Sequence, residues 1–341
     1  MKIGIIGYQG SGKSTLFHWL TGEQPDPVLV NKTQSAMAAV PDPRVEQLCQ
    51  IYHPKKVTLA ALEMVDTPGL SRSHEGSAAR LAMIRQAGCL IIVVAAFDGS
   101  DAAADLHSFE EDLLIADLDI VAGRIARIQE AIKKPIPNRD ELQHELQALL
   151  PMQEALEQGR SLRQLELTPD QRRATKAFQL FGDKPRLIVV NTSDTEEQPE
   201  RFRSLAPPET PLFAFSLGLE MDLKQMEPAE REAFCREMEV HPFDRDTFIH
   251  SVMETSGQML FFTAGEKEVR TWMIHRGGTA LEAAANIHTD LAHGFIRAET
   301  MKVADLVRLG SEREIKAHSL LRQEPKDYVI QDDDILFIRH N

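Results

Sequence analysis

The chain has 341 residues, of which 43% are hydrophobic and 26% are charged, and its formal net charge is −14. This composition is ordinary for a soluble globular protein of two or three domains. The acidic balance argues against a broad basic surface for nucleic acid, and no apolar segment approaches the roughly 20 residues of a membrane span.

The most informative feature is an apolar segment followed by a glycine-rich loop. Residues 3–6 predict a buried strand, residues 14–20 predict a helix, and residues 7–14 between them are Gly-Tyr-Gln-Gly-Ser-Gly-Lys-Ser. This is the phosphate-binding pattern G-x-x-x-x-G-K-S in its strand–loop–helix context. The glycines let the backbone surround phosphate oxygens, and the helix N-terminus adds partial positive charge. We predict that a nucleoside triphosphate is bound by Gly10, Ser11, Gly12, Lys13, Ser14 and Thr15.

Two of these residues have more specific predicted roles. Lys13 can reach the β- and γ-phosphates and is a predicted catalytic residue, whereas Ser14 can ligate Mg²⁺. The hydroxyl-rich segment after the first helix is expected to supply another Mg²⁺ ligand. We predict Thr33 for that ligand, with Ser35 as the alternative.

A second strand is predicted over residues 58–65, and it ends at Asp66-Thr67-Pro68-Gly69. After a phosphate-binding loop, this D-x-x-G pattern places a carboxylate where it can hold Mg²⁺ through a water molecule. The Gly69 amide can face the γ-phosphate. We therefore predict Asp66 as a metal ligand and Gly69 as a catalytic residue, and a simple Asp-Thr-Pro-Gly turn is the alternative.

The residue after this motif is Leu70, where small signalling GTPases often have a glutamine that orients water. A leucine cannot orient water, so hydrolysis is expected to be slow or assisted. The assisting device could be another side chain, a potassium ion, a partner or the phosphate itself. The nearby side-chain candidates are Arg72, His74 and Glu75.

Residues 88–97 predict a strand buried on both faces of a parallel sheet, and a long helical region follows it. Apolar residues recur at steps of 4 and 3 from Leu114 to Ile132, which predicts a helix with a heptad stripe. Residues 133–138 contain two prolines and end this helix. Asp140 is a predicted cap for a second helix, which Pro151 should kink or divide. The simplest interpretation is an inserted helical hairpin.

The next predicted strand, residues 186–190, is followed by Asn191-Thr192-Ser193-Asp194. A carboxylate at the fourth position can accept hydrogen bonds from N1–H and N2–H of guanine, and the Asn191 amide can bridge to the phosphate loop or the base. The usual GTPase lysine is replaced by Thr192, so the motif favours guanine without requiring it, and a simple Asx turn at the end of the strand is the alternative. A short strand at residues 212–215 leads to a loop that can touch the base. The predicted base-side residues are Asn191, Asp194, Ser216 and Leu217.

The sequence changes character at about residue 257. Strands are predicted at residues 261–263, 269–274, 295–297, 328–330 and 335–338, and a helix at residues 280–287. The fold class is therefore α/β: a doubly wound P-loop sheet with an inserted helical hairpin and a C-terminal α+β domain. The predicted domains are residues 1–101 with 183–256, then 102–182, then 257–341.

These motifs resemble the YchF / Obg-like ATPase family of TRAFAC-class P-loop NTPases along nearly the whole chain. Beyond the phosphate-site motifs, the resemblance is carried by Pro41-Asp42-Pro43-Arg44 and Ala116-Asp117-Leu118-Asp119. In the C-terminal region it is carried by Phe262-Thr263-Ala264-Gly265, Gly294-Phe295-Ile296-Arg297-Ala298-Glu299 and Asp327-Tyr328-Val329-Ile330-Gln331-Asp332.

The resemblance implies a nucleotide domain, a helical hairpin, a β-grasp-like TGS domain and ribosome association. Leu70 also fits the resemblance, because the family has a hydrophobic residue in place of the catalytic glutamine. Family members usually carry Glu at the position of Asp194 and many prefer ATP, and residues 28–37 lack the family's usual switch sequence.

We therefore expect a cytoplasmic, monomeric switch that binds GTP or ATP with Mg²⁺ and associates with the ribosome or a related RNA–protein assembly. The N-terminus leaves no room for a signal peptide, and three isolated cysteines are typical of reduced thiols. Basic residues of the helical region could face rRNA, although a solvated helix face is the alternative: Arg124, Arg127, Lys133, Lys134, Arg160 and Arg163. A P-loop is also found in two other classes of protein, so the alternatives are a metabolic P-loop kinase and a nucleotide-binding scaffold without hydrolysis. The D-x-x-G and N-x-x-D patterns argue against the kinase.

Overall fold

The computed structural model describes residues 1–29, 32–72, 77–135, 137–196 and 198–341. The chain forms two compact units, one of residues 1–36 and 64–243 and the other of residues 37–63 and 244–341. The division into three domains predicted above stays a prediction. Among the helices described, none is long and apolar enough to cross a membrane.

The strands are, in chain order, β1 (Lys2–Ile6), β2 (Gln34–Ala39), β3 (Val57–Thr58), β4 (Ala61–Asp66), β5 (Cys89–Ala96), β6 (Arg186–Thr192), β7 (Leu212–Phe215), β8 (Gln258–Ala264), β9 (Val269–His275), β10 (Phe295–Lys302), β11 (Arg322–Glu324) and β12 (Asp334–His340).

The helices are α1 (Lys13–Thr21), α2 (Pro43–Tyr52), α3 (Ser77–Ile84), α4 (Ala102–Ala131), α5 (Arg139–Glu157), α6 (Pro169–Thr175), α7 (Leu217–Gln225), α8 (Pro228–Glu237), α9 (Arg245–Thr255), α10 (Ala280–Ile287), α11 (Thr289–His293), α12 (Val303–Leu309) and α13 (Glu312–Ala317).

The first sheet has the strand order β2-β4-β1-β5-β6-β7. Strand β5 is parallel to β1 and β6, and β6 is parallel to β7. Every residue of β5 from Cys89 to Ala95 is buried, as the continuous apolar segment predicts for a central parallel strand. Because β4 and β5 lie on opposite sides of β1, the carboxyl end of β1 is a switch point, where open α/β sheets bind ligands.

Helices α4 and α5 pack against each other through the predicted heptad stripe. Val121, Ile125 and Ile128 of α4 are buried with Leu149 and Met152 of α5. A bidentate ion pair between Arg124 and Glu145, with both N–O distances at 2.7 Å, also joins the two helices. The stripe is therefore explained by helix-to-helix packing.

The second unit contains a sheet of order β11-β10-β12-β8-β9-β3. Strand β10 is antiparallel to β11 and β12, and β8 is antiparallel to β9 and parallel to β12. One buried cluster includes residues of α2, α12 and α13, and another includes residues of α10. This is the mixed α+β content that the sequence predicts for the C-terminal region.

Several local predictions were wrong. The single strand expected over residues 58–65 is two strands, since β3 pairs with β9 in the second sheet and β4 belongs to the first. The β2 strand was not predicted, because its sequence Gln-Ser-Ala-Met-Ala-Ala lacks the alternation of large apolar and polar residues that marks a strand. Residues 328–330 form only one isolated bridge at Val329.

The helix-boundary predictions around α5 also need correction. Asn138, not Asp140, is at the N-cap position, and Asp140 lies in the first turn, where a carboxylate favours the helix dipole. Pro151 does not divide the helix, which continues to Glu157. The turns on either side of Pro151 are held by the buried residues Leu149, Met152 and Leu156.

Candidate functional site

The glycine-rich loop joins β1 to α1 and has the backbone conformation that its sequence predicts. Gly12 caps α1 with φ of 102°, in the left-handed region that favours glycine. A Cβ atom at this position would lie 2.4 Å from Asn191 Nδ2. Glycine is therefore required here both by backbone conformation and by the close approach of a neighbouring strand.

Lys13 is buried at the start of α1. Its Nζ donates a hydrogen bond of 2.6 Å to the carbonyl oxygen of Tyr8. Burial lowers the pKa of the Lys13 ammonium to about 8, an effect that Asp66 opposes and Arg80 reinforces. A buried ammonium with a depressed pKa is stabilised by an anion, which suits a phosphate-binding role.

Ser14 and Asp66 meet at the carboxyl end of β4. The Ser14 hydroxyl donates to Asp66 Oδ2 at 2.6 Å, while Asp66 Oδ1 is buried without a hydrogen-bond partner. Burial raises the pKa of the Asp66 carboxyl, against the opposing effects of Ser14, Lys13 and Thr67. An unsatisfied buried carboxylate oxygen beside a hydroxyl oxygen fits a hard divalent cation such as Mg²⁺.

Within the described part of the chain, no group of three or more His, Cys, Asp or Glu side chains is placed to hold a metal ion. A cation at Ser14 and Asp66 would therefore have to complete its shell with water and phosphate oxygens. That is the usual arrangement for Mg²⁺ in nucleotide sites.

The D-x-x-G segment lies directly against the glycine-rich loop. The amide of Gln9 donates to the Leu70 carbonyl at 3.0 Å, and the amide of Leu70 donates to the Gly7 carbonyl at 3.1 Å. A Cβ atom at Gly69 would lie 2.7 Å from Lys13 Nζ and 2.9 Å from the Gln9 backbone. Backbone hydrogen bonds thus join the two motifs next to the position predicted for the γ-phosphate.

A cavity of about 690 Å³ opens between these motifs and the segment after α1. Its lining includes Lys13, Ser14 and Asp66. Thr33 is exposed, and its neighbours Lys32 and Gln34 line the cavity rather than Thr33 itself. Its metal-binding role stays a prediction. Gly10, Thr15 and Gly69 also line the cavity, whereas Ser11 is buried next to it in the loop.

The side-chain candidates after Leu70 are only partly described. Arg72 forms a bidentate pair with Asp105. His74 and Glu75 lie outside the described residues, as does Asn31 of the segment before Thr33.

The base-side residues form a separate connected cluster. Asn191 Nδ2 donates to the Ser11 carbonyl at 3.2 Å, and Asn191 Oδ1 accepts from the Leu217 amide at 3.0 Å. The predicted bridge from Asn191 to the phosphate loop is therefore present. The Ser216 hydroxyl donates to Asp194 Oδ1, which orients an otherwise exposed carboxylate at the end of β6.

Sequence reasoning missed two residues of this site. Arg80 of α3 lines the cavity and donates to the Gly69 carbonyl at 2.8 Å. No motif marks it, and only its position after D-x-x-G could have indicated it. Tyr8 is the second such residue, because it occupies a variable position of the phosphate-binding pattern and so carries no signal in the sequence. Its carbonyl oxygen accepts the hydrogen bond from Lys13 Nζ.

Two family models match the chain. Residues 2–122 match a model described as 50S ribosome-binding GTPase, and residues 259–341 match the C-terminal YchF-GTPase model, which is described as a protein of unknown function. The two matches cover the glycine-rich loop with the D-x-x-G segment and nearly all of the C-terminal sheet.

Curated relatives align with essentially the whole chain. Obg-like ATPase 1 of Oryza sativa subsp. japonica is 33% identical, covering 100% of this chain and 92% of the relative. Ribosome-binding ATPase YchF of Bacillus subtilis is 31% identical, covering 100% and 99%. The solved structure of the Schizosaccharomyces pombe YchF GTPase has the same fold, with a TM-score of 0.84 over 99% of this chain and 97% of that one at 23% identity.

Proposed function

Because this chain belongs to the YchF / Obg-like ATPase family of P-loop nucleoside triphosphatases, we propose that it hydrolyses GTP or ATP with Mg²⁺ in the cavity lined by Lys13, Ser14 and Asp66. In this proposal the protein is a cytoplasmic, monomeric switch that signals its nucleotide state to the ribosome. The observation that carries the nucleotide site is the convergence of Lys13, Ser14, Asp66 and Gly69 on one cavity. These four residues come from two motifs more than fifty positions apart.

Each residue of this group has a distinct role in the proposed mechanism. The Lys13 ammonium would neutralise charge on the β- and γ-phosphates, and the Gly69 amide would donate to a γ-phosphate oxygen. Ser14 and Asp66 would hold Mg²⁺, which when bound neutralises phosphate charge and orients the triphosphate. Arg80 supports this arrangement by holding the carbonyl of Gly69.

The position after Gly69 supports slow intrinsic hydrolysis. The Leu70 side chain is wholly buried in the hydrophobic core beneath the sheet. It therefore neither reaches the cavity nor offers a polar atom to a water molecule. We propose that turnover depends on assistance, from a potassium ion or from the partner, and that the long-lived triphosphate state is the signalling state.

The ribosome is proposed as the partner because a curated relative is named a ribosome-binding ATPase and the N-terminal family model is described as 50S ribosome-binding. We further propose that the helical pair α4–α5 and a TGS-like C-terminal domain contact it. On the helical pair, Arg124 is engaged with Glu145 and Lys133 with Glu130. The exposed residues Arg127 and Lys134 are better placed for phosphate groups of rRNA.

Hydrolysis is tested by measuring Mg²⁺-dependent phosphate release from GTP and ATP, with wild type and Lys13→Ala. Lys184→Ala is the control, because Lys184 is a half-buried lysine whose Nζ also donates to a carbonyl, that of Ala87, at 2.6 Å. We expect Lys13→Ala to abolish hydrolysis and Lys184→Ala to retain it. Hydrolysis that survives in Lys13→Ala would refute the assignment of the site.

Ribosome binding is tested by co-sedimentation with purified ribosomes in the triphosphate and diphosphate states, over a series of salt concentrations. Arg127→Glu with Lys134→Glu should weaken binding and flatten its salt dependence. Arg236→Glu is the control, since Arg236 is an exposed arginine on α8. Binding that is independent of both nucleotide and these charges would contradict the proposed partner surface.

A further inference from the structure

One side chain of the glycine-rich loop reaches out of the phosphate site to the helical pair. The Tyr8 hydroxyl donates a hydrogen bond of 2.9 Å to Asp112 Oδ2 on α4, and both residues are buried. The Tyr8 ring also packs edge-on against Phe109 of the same helix, with centroids 5.3 Å apart. Burial and the Asp112 carboxylate raise the pKa of the Tyr8 phenol, so the hydroxyl stays a neutral donor.

The backbone of Tyr8 is attached to the predicted catalytic lysine. Lys13 Nζ donates to the Tyr8 carbonyl at 2.6 Å. Tyr8 therefore has two connections, a side-chain bond to α4 and a main-chain bond to Lys13. A shift of α4 by part of a hydrogen-bond length would have to be absorbed either at the phenol or at the loop that holds the ammonium.

A second contact runs in parallel with the first. Arg72, two residues after Leu70, lies over the Tyr8 ring at 5.2 Å and binds Asp105 of α4 with N–O distances of 3.1 and 2.5 Å. Asp105, Phe109 and Asp112 are spaced at steps of four and three, so they share one face of the helix. That face contacts both the phosphate loop and the segment after D-x-x-G.

The same helix extends far from the nucleotide. It has 30 residues, which corresponds to a length of about 45 Å. Its C-terminal half, with Val121, Ile125 and Ile128, is packed against α5. Helix α4 is thus one rigid element that contacts the phosphate loop through its N-terminal half. Its C-terminal half belongs to the helical pair that we propose as the partner-binding surface.

We propose that Tyr8 is a positioning residue that couples α4 to Lys13, so that nucleotide binding and partner binding at the helical pair change each other's affinity. The identity of the partner rests on the proposed function, whereas the coupling between α4 and Lys13 involves only residues of this chain. Because coupling between two binding equilibria is reciprocal, the nucleotide end can be measured without the ribosome.

The experiment compares wild type, Tyr8→Phe and Asp112→Ala. It measures the affinity for a non-hydrolysable GTP or ATP analogue, and amide hydrogen exchange over residues 103–116 with and without that analogue. Tyr52→Phe is the matched control, because the Tyr52 hydroxyl also donates to a carboxylate, Glu312, at 2.8 Å. Tyr8→Phe keeps the ring and its packing, so it tests the hydroxyl alone.

In wild type, the analogue should slow exchange in residues 103–116. In Tyr8→Phe this response should be lost and the analogue should bind about fivefold or more weakly. Asp112→Ala should show the same two effects. Because both residues form one hydrogen bond, the variant with Tyr8→Phe and Asp112→Ala together should lose no more affinity for the analogue than either single variant. Tyr52→Phe should match wild type.

Unchanged affinity and an unchanged exchange response in Tyr8→Phe would overturn the coupling. Equal losses in Tyr8→Phe and Tyr52→Phe would also overturn it, since they would indicate general destabilisation. If wild type binds the analogue and residues 103–116 do not respond, the coupling fails while the nucleotide site stands. If wild type binds no analogue, the proposed function itself fails.

Discussion

The Ser14 hydroxyl donates a hydrogen bond of 2.6 Å to Asp66 Oδ2, which joins the first turn of α1 to the end of β4. The other oxygen of the Asp66 carboxylate is buried and has no hydrogen-bond partner. A buried unsatisfied acceptor costs about 1–3 kcal/mol, more when it is charged. A cation at this position would remove that cost, so the geometry links folding of this corner to metal binding.

The first prediction concerns Mg²⁺. Ser14→Ala and Asp66→Asn should each raise the Mg²⁺ concentration needed for half-maximal hydrolysis about tenfold or more, because each removes an oxygen ligand or its charge. The measurement is phosphate release over a Mg²⁺ titration at saturating nucleotide. Ser256→Ala serves as the control, since that buried hydroxyl donates only to a backbone carbonyl. Unchanged half-maximal concentrations in both site variants would argue against this metal position.

The second prediction concerns pH. The pKa of Lys13 is about 8 in the free protein because burial disfavours its charge, and bound phosphates should raise it. Nucleotide affinity should therefore be constant below pH 8 and fall by up to about tenfold per pH unit above it, until the pKa of the complex is reached. Titration of a triphosphate analogue between pH 7 and 9.5 measures this. Lys13→Arg should flatten the curve; a wild-type affinity independent of pH would contradict the depressed pKa.

The third prediction concerns Gly69. A methyl group at this position would lie 2.7 Å from Lys13 Nζ and 2.9 Å from the Gln9 backbone, so the D-x-x-G segment must move away from the phosphate loop. Gly69→Ala should reduce hydrolysis about 100-fold or more, as expected when a transition-state donor is lost. Gly123→Ala is the control, because no described atom outside the neighbouring turns of α4 lies within 4 Å of its Cβ position. Near-normal turnover in Gly69→Ala would exclude a catalytic role for this glycine.

The fourth prediction concerns the base. The Ser216 hydroxyl donates to Asp194 Oδ1, which fixes the orientation of this exposed carboxylate just after β6. Asp194→Glu extends the side chain by one bond, about 1.5 Å, and should disrupt this orientation. The ratio of GTP affinity to ATP affinity should then fall. Competition titrations with both nucleotides test this, with Asp140→Glu on α5 as the control; identical ratios in wild type and Asp194→Glu would remove Asp194 from the base site.

Much of the first unit could be predicted because its signals are local. A buried parallel strand needs a continuous apolar segment, and a phosphate-binding turn needs glycines at set spacings, so β1, β5 and the loop before α1 were found correctly. The division of residues 58–65 into β3 and β4 was not predictable. Both strands have ordinary β sequences, and only pairing partners far away in the chain, such as Val269, separate them.

Local sequence patterns were enough to identify the phosphate-binding loop, the D-x-x-G segment and the pair of helices with heptad stripes. The side chains that reach this region from other elements could be identified only from the packing of those elements. Arg80 and Asp112 carry no motif, and they matter because α3 and α4 bring them to Gly69 and Tyr8. Backbone turns are encoded within a few residues, whereas a buried hydrogen bond across 104 positions exists only once both elements are packed on the same sheet.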